Sequence, residues 1–216
     1  MGDERGGVDD IFRLAKSNDR LNGADIFFPL VSVTATETFM MAAVLAKGTT
    51  TLRNSAMEPE IASLADFLNS CGANINGAGT PTITILGGGL LSANSRAYHT
   101  LPDRIETGSF LVLGALTASN RTIEDCVPEH VESLINLLSQ SGVSITRGKD
   151  FLKISNNIQS SSSWQGVNVK THEYPGFATD LQAPMAVFLT QVTGESTIFE
   201  TIFEARLNYT DDLVKM

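Results

Sequence analysis

From Ser63 the chain reads SLADFLNSCGANI, and from Ser133 it reads SLINLLSQSGVSI, the same succession of apolar and polar positions twice. Ser63/Ser133, Leu64/Leu134, Leu68/Leu138, Gly72/Gly142 and Ile75/Ile145 match at one offset of 70 residues. Leucines four apart predict one face of a helix, the glycine its end, and the short apolar run beyond it a strand. Extended outward, the pattern predicts strand 24–30, helix 36–46, strand 49–55, helix 58–72 and strands 73–77 and 82–86. A second copy follows as strand 96–101, helix 105–118, strand 121–126, helix 128–142 and strands 143–147 and 151–155. A third begins with strand 166–171, helix 181–192 and strand 196–201, without a closing helix and hairpin before Met216. The expected fold class is therefore α/β (α+β), built from repeated βαβαββ units with the last one cut short. QSSSSWQG, between copies two and three, reads as a solvent loop.

The helix starts share a chemistry. Thr34-x-x-Glu37, Asp103-x-x-Glu106 and Thr179-x-x-Gln182 each fit a capping box, and Pro59 and Pro128 open the second helices. Converging helix N-termini, with unpaired N–H groups and partial positive charge, suit phosphate or carboxylate. Composition narrows the partners. A net charge of −9 excludes a nucleic-acid face, and it sits awkwardly with anionic small molecules. No apolar run reaches the roughly 18 residues of a membrane span, and the acidic, glycine-rich MGDERGGVDD is no signal peptide. Cys71 and Cys126 have no basic neighbour and read as structural thiols of a reducing cytoplasm; no metal or cofactor is expected.

PGFATDLQAP, residues 175–184, holds one carboxylate, Asp180, in an otherwise uncharged stretch. It reads either as the first turn of a helix capped by Thr179, or as a base held beside a substrate.

VSVTATETFMMAAVLAKGTTTLRN, AMEPEIASLADFLNSCGANI, LPDRIETGSFLVLGAL, PGFATDLQAP and ETIFEAR stand in the order and spacing of one family. From about Leu21 to Met216 the chain resembles the UDP-N-acetylglucosamine 1-carboxyvinyltransferases of the enolpyruvyl transferase superfamily; residues 1–20 match weakly. The resemblance implies an inside-out α/β barrel. Residues 21–101 would be the last unit of one domain, and 102–216 one complete and one truncated unit of a second. It implies transfer of the enolpyruvyl group of phosphoenolpyruvate to the 3-hydroxyl of UDP-N-acetylglucosamine, the first committed step of peptidoglycan synthesis, with release of phosphate. Asp180 is the implied base and sugar contact. Leu30, Val31, Ser32 and Val33 match the uridine-diphosphate contact, and Ile202 lines the nucleotide-sugar pocket. Arg104, Thr179 and Arg206 are candidate cleft residues.

Three departures stand out: the family has lysine at Leu30, glycine at Thr34 and often asparagine at Ala205. The family's Lys-Asn pair, cysteine loop and phosphoenolpyruvate-clamping arginines have no counterpart in these 216 residues. The chain is therefore expected to be a partial enzyme, inactive alone, exposing apolar helix faces and partnered by the missing parts of the same enzyme. The alternatives are a non-catalytic UDP-sugar-binding module and the shikimate-pathway enolpyruvyl transferase.

Overall fold

The computed structural model describes residues 20–93, 97–117, 120–155 and 164–216. The first unit runs β1 (Asp25–Phe27), α1 (Val33–Ala43), β2 (Thr49–Arg53), α2 (Pro59–Ser70), β3 (Ile75–Asn76) and β4 (Thr82–Leu86). Its sheet has the order β1-β2-β4-β3, with β1 parallel to β2 and the other pairs antiparallel. Thr50 and Leu52 on β2 and Ile83 and Ile85 on β4 share one face by the two-residue period of a strand. That face is buried with Met40 of α1 and Ile61 of α2.

The second unit has α3 (Arg104–Thr117), β5 (Arg121–Glu124), a 3-10 turn at Pro128–Val131, α4 (Glu132–Ser141), β6 (Ile145–Arg147) and β7 (Phe151–Ile154). Its sheet runs β5-β7-β6, all antiparallel. The third stretch pairs β8 (Val169–Lys170) in parallel with β9 (Ile198–Phe199) and carries α5 (Gln182–Leu189) and α6 (Thr210–Leu213). A single core unites these two, from Leu111, Leu134, Leu138 and Leu152 to Trp164, Met185 and Phe188.

The repeat has the same local cause in both copies. Gly72 and Gly142 adopt φ of 103° and 105°, a conformation costly for any residue with a Cβ. Beyond each, the N–H of Ala73 or Val143 donates to the carbonyl of Leu68 or Leu138, closing the helix and turning the chain into its strand.

Four expectations need correction. Residues 97–101 form no strand. Instead the Tyr98 ring meets Phe67 of α2 edge-on at 5.2 Å, and its hydroxyl donates to the Ser63 carbonyl. An extended segment becomes a strand only with a ladder partner, and this one is drawn onto a helix instead. QSSSSWQG is not wholly a solvent loop. Its serines lie outside the described residues, but Trp164 is buried against Phe188 at 5.1 Å. Thr34 does not cap α1; the Ser32 hydroxyl accepts from Ala35 N at 3.2 Å and leaves Thr34 exposed in the first turn. Nor does Thr179 cap α5, for a reason given below. Asp103 does cap α3, its Oδ1 accepting from the N–H groups of Ile105 and Glu106 at 2.7 and 3.2 Å.

Among the described residues the sheets close into no barrel, and no helix is long and apolar enough to cross a membrane. Phe39, Met41 and Leu45 at α1, Phe110 and Leu113 on α3, and Val187 on α5 are exposed, as expected of apolar helix faces without a covering layer.

Candidate active site

Thr179, Asp180 and Leu181 form a single 3-10 turn before α5, placed there by the tight run from Pro175. Burial of Leu181 fixes the turn on the core and leaves the Asp180 side chain 51% exposed. Arg206 lies 26 residues further on, beyond β9. Its Nη2 donates to Asp180 Oδ1 at 2.7 Å and its Nη1 to the Thr179 hydroxyl at 2.9 Å, while its Cζ lies 5.0 Å from the centre of the Phe203 ring. Thr179 donates its own proton to Glu200 Oε2 at 2.8 Å and turns its oxygen to Arg206; it sits inside the turn, with Ala178 at the cap position, and so does not cap the helix. Glu200 also accepts from Thr171 and from the N–H groups of Ile202 and Phe203. Burial pushes the Glu200 carboxyl up, but these hydrogen bonds outweigh it and hold the group below its ordinary range.

A second cluster joins the first unit to the others. Arg104, at the start of α3, has only 13% of its side chain exposed. It forms a fork with Glu60 of α2, Nε to Oε2 at 3.2 Å and Nη2 to Oε1 at 2.9 Å, and its Cζ lies 5.8 Å from the centre of the Tyr174 ring. Burial works against the charge on Arg104. Its pairing with Glu60 and the fields of Glu58 and Asp180 more than restore it, so its pKa stays raised. Glu37 of α1 is pushed up by burial and by the charges of Glu60 and Glu58. Glu58, just before α2, is buried, and among the described residues its Oε2 has no hydrogen-bond partner. A cavity of about 280 Å³ opens here between Pro59, Glu60, Asp103, Arg104 and His130.

The helix starts of α1, α2 and α3 and the turn before α5 are thus electrostatic neighbours. Among the described residues the junction brings Glu37, Glu58 and Glu60 near Arg104, and Arg206 is bonded to Asp180. Thr179, Asp180, Arg104 and Arg206 are brought together, and Ile202 joins through Glu200. Leu30, Val31, Ser32 and Val33 lie on the first unit, and among the described residues no hydrogen bond or ion pair joins them to Asp180. Leu30 is 81% exposed, while the Ser32 hydroxyl is engaged as the α1 cap.

Sequence reasoning missed Glu200, Glu60 and Tyr174. Glu200 stands inside the ETIFEAR motif, but its partners Thr171 and Thr179 are 29 and 21 residues away, and only the fold reveals them. Cys126 is buried, and burial first and Asp150 second push its thiol up, which suits an inert core group. Ala205 sits at φ 55°, in the left-handed region that asparagine tolerates and alanine resists. Among the described residues the other non-glycine positions at positive φ are Asn54 and Asp125, so Ala205 is the odd member.

The chain belongs to the EPSP synthase (3-phosphoshikimate 1-carboxyvinyltransferase) family, which matches residues 10–216. Within that class its sequence stands with the UDP-N-acetylglucosamine 1-carboxyvinyltransferases. It is 44% identical to that of Solibacter usitatus over 94% of this chain and 47% of the relative, and 46% identical to enzyme 1 of Caldanaerobacter subterraneus over 91% and 46%. The chain therefore spans about half the length of these curated relatives. In fold it is similar to the enolpyruvyl transferase NikO from Streptomyces tendae, with a TM-score of 0.70 at 23% identity over 84% of this chain and 42% of that one. It is also similar to EPSP synthase from Acinetobacter baumannii, with a TM-score of 0.57 at 17% identity over 91% and 45%.

Proposed function

We propose that the chain contributes the acceptor-activating part of an enolpyruvyl transferase that uses UDP-N-acetylglucosamine and phosphoenolpyruvate. The observation that carries this reading is the Asp180 carboxylate. Arg206 engages Oδ1, Oδ2 is left open on an exposed turn, and the PGFATDLQAP motif surrounds it. An open carboxylate oxygen on a braced turn can accept a proton from a sugar hydroxyl within hydrogen-bond reach. Ile202, held through its N–H by Glu200, would line the sugar pocket, and Leu30 to Val33 would meet the diphosphate across the junction.

Phosphoenolpyruvate and a nucleotide diphosphate together require more positive charge than Arg104 and Arg206 supply. Among the described residues the junction offers carboxylates instead. We assign the remaining cations to sequence beyond these 216 residues, and residues 21–101 and 102–216 to separate domains of the whole protein. A cytoplasmic site follows from the nature of the substrates.

The test is titration of the chain with UDP-N-acetylglucosamine by calorimetry. Weak saturable binding, reduced roughly tenfold by Asp180→Ala through loss of one charged hydrogen bond, is the expected result. Leu30→Lys should tighten it by supplying a cation to the diphosphate. Binding that ignores Asp180→Ala would overturn the assignment, and preferential binding of shikimate 3-phosphate would turn it to the other branch of the family.

A further inference from the structure

Glu200 follows β9 directly and is half-buried, and its two oxygens take four hydrogen bonds. Oε1 accepts from Thr171 Oγ1 at 2.9 Å, Ile202 N at 2.8 Å and Phe203 N at 3.2 Å; Oε2 accepts from Thr179 Oγ1 at 2.8 Å. An ionised carboxylate only accepts, and a hydroxyl has one proton to give. Thr179 must therefore point its proton at Glu200 and offer its lone pairs to the Arg206 guanidinium, which only donates. The charge on Glu200 fixes the Thr179 bond, and the guanidinium, which only donates, fixes the two bonds beyond it.

We propose that Glu200 is a positioning residue. Through the Thr179 hydroxyl it holds Arg206 in the one orientation that engages Asp180 Oδ1 and leaves Oδ2 open. Glu200→Gln is the informative change because it keeps the shape and breaks the direction. The amide oxygen must stay with the backbone N–H groups of Ile202 and Phe203, so the NH2 group faces Thr179. The hydroxyl then accepts from Gln, and its own proton loses the carboxylate that fixed it, so the Thr179 lone pair is no longer aimed at Arg206.

This inference rests on the reading of Asp180 as the base that meets the acceptor hydroxyl, and the experiment separates the two. Exchange of the Arg206 side-chain N–H protons with water is followed by NMR in the 15N-labelled 216-residue chain, with Arg206→Lys to assign the signals. Glu200→Gln is expected to speed that exchange roughly tenfold, as for loss of a charge-assisted hydrogen bond, while the backbone amide spectrum stays dispersed. Thr179→Val should do the same and Thr179→Ser should preserve slow exchange, a split that a general packing role would not produce. Unchanged Arg206 exchange in Glu200→Gln overturns the proposal. If that variant does not fold, unchanged exchange in Thr179→Val overturns it instead. The same samples are titrated with UDP-N-acetylglucosamine. Arg206 signals that respond to the substitutions in a chain that binds no nucleotide sugar would uphold the positioning role and sink the functional reading.

Discussion

The first and second units carry the same sequence pattern 70 residues apart, yet one has a four-stranded sheet and the other three strands. Where the first unit lays β1 in parallel beside β2, the second leaves the outer edge of β5 without a partner among the described residues. The local signals are equal on both sides: matching leucines, matching left-handed glycines, matching hairpins. What differs is tertiary. Asp25–Phe27 finds a ladder, while Tyr98 finds the flank of α2. A repeat in sequence thus guarantees the helix-to-hairpin part of the unit, whose contacts are short-range, and not its first strand, whose partner is some 25 residues away.

The sharpest way to separate the two units is to cut the same leucine from each. Leu138→Ala, at a fully buried site, is expected to cost about 2–5 kcal/mol, and Leu68→Ala, slightly more exposed, a value near 2 kcal/mol. Trp164, the one tryptophan, lies in the core of the second and third units. Denaturation followed by its fluorescence should register Leu138→Ala fully and Leu68→Ala only weakly, whereas circular dichroism registers both. Equal responses from the two probes would mean that the units unfold as one.

The next effect concerns what ties the units together. Arg104→Ala removes a largely shielded guanidinium from Glu60, which is itself partly solvated, at an expected cost of about 1–2 kcal/mol. It should widen the gap between the fluorescence and dichroism midpoints; a uniform shift of both would show that the fork does not couple them.

These expectations also mark what the sequence conveyed and what it withheld. Helices α2, α3 and α4 were readable because their apolar period, capping Asp103 and closing glycines all lie within a few residues. The PGFATDLQAP motif pointed at Asp180 and ETIFEAR at Arg206, but not at the bond between them, because motif spacing carries no information about a turn that folds back over 26 residues. Ser32 displaced Thr34 as the cap because both side chains can accept from the first turn and only the backbone dihedrals choose between them.

A smaller effect tests the third stretch against the first two. Asn54 and Asp125 occupy left-handed positions with side chains suited to them, and Ala205 does not. Ala205→Asn is expected to stabilise the chain by roughly 1 kcal/mol, raising the melting temperature by about 2–4 °C. No gain in calorimetry would mean that the turn after Glu200 relaxes without cost.

The smallest effect is a pH dependence at the junction. Burial first, and the charge of Arg104, hold His130 below its ordinary value of 6.5 against the opposing pull of Glu129 and Glu60. The unfolded chain therefore takes up this proton at higher pH than the folded one. The stabilisation is complete above about 6.5 and is lost as pH falls through the lowered folded value. His130→Gln should flatten the decline in melting temperature between pH 7.5 and 5.5; an unchanged slope would assign the decline to other groups.

The fork between Glu60 and Arg104 has a consequence for descent as well as for stability. Each core is filled by residues of its own side, so the apolar positions of one unit can drift without correction from the other. Positions 60 and 104 lack that freedom, because reversing or deleting either charge strands its partner in a half-dry crevice. Across a lineage of such chains the two cores should wander independently, while this one pair moves in step.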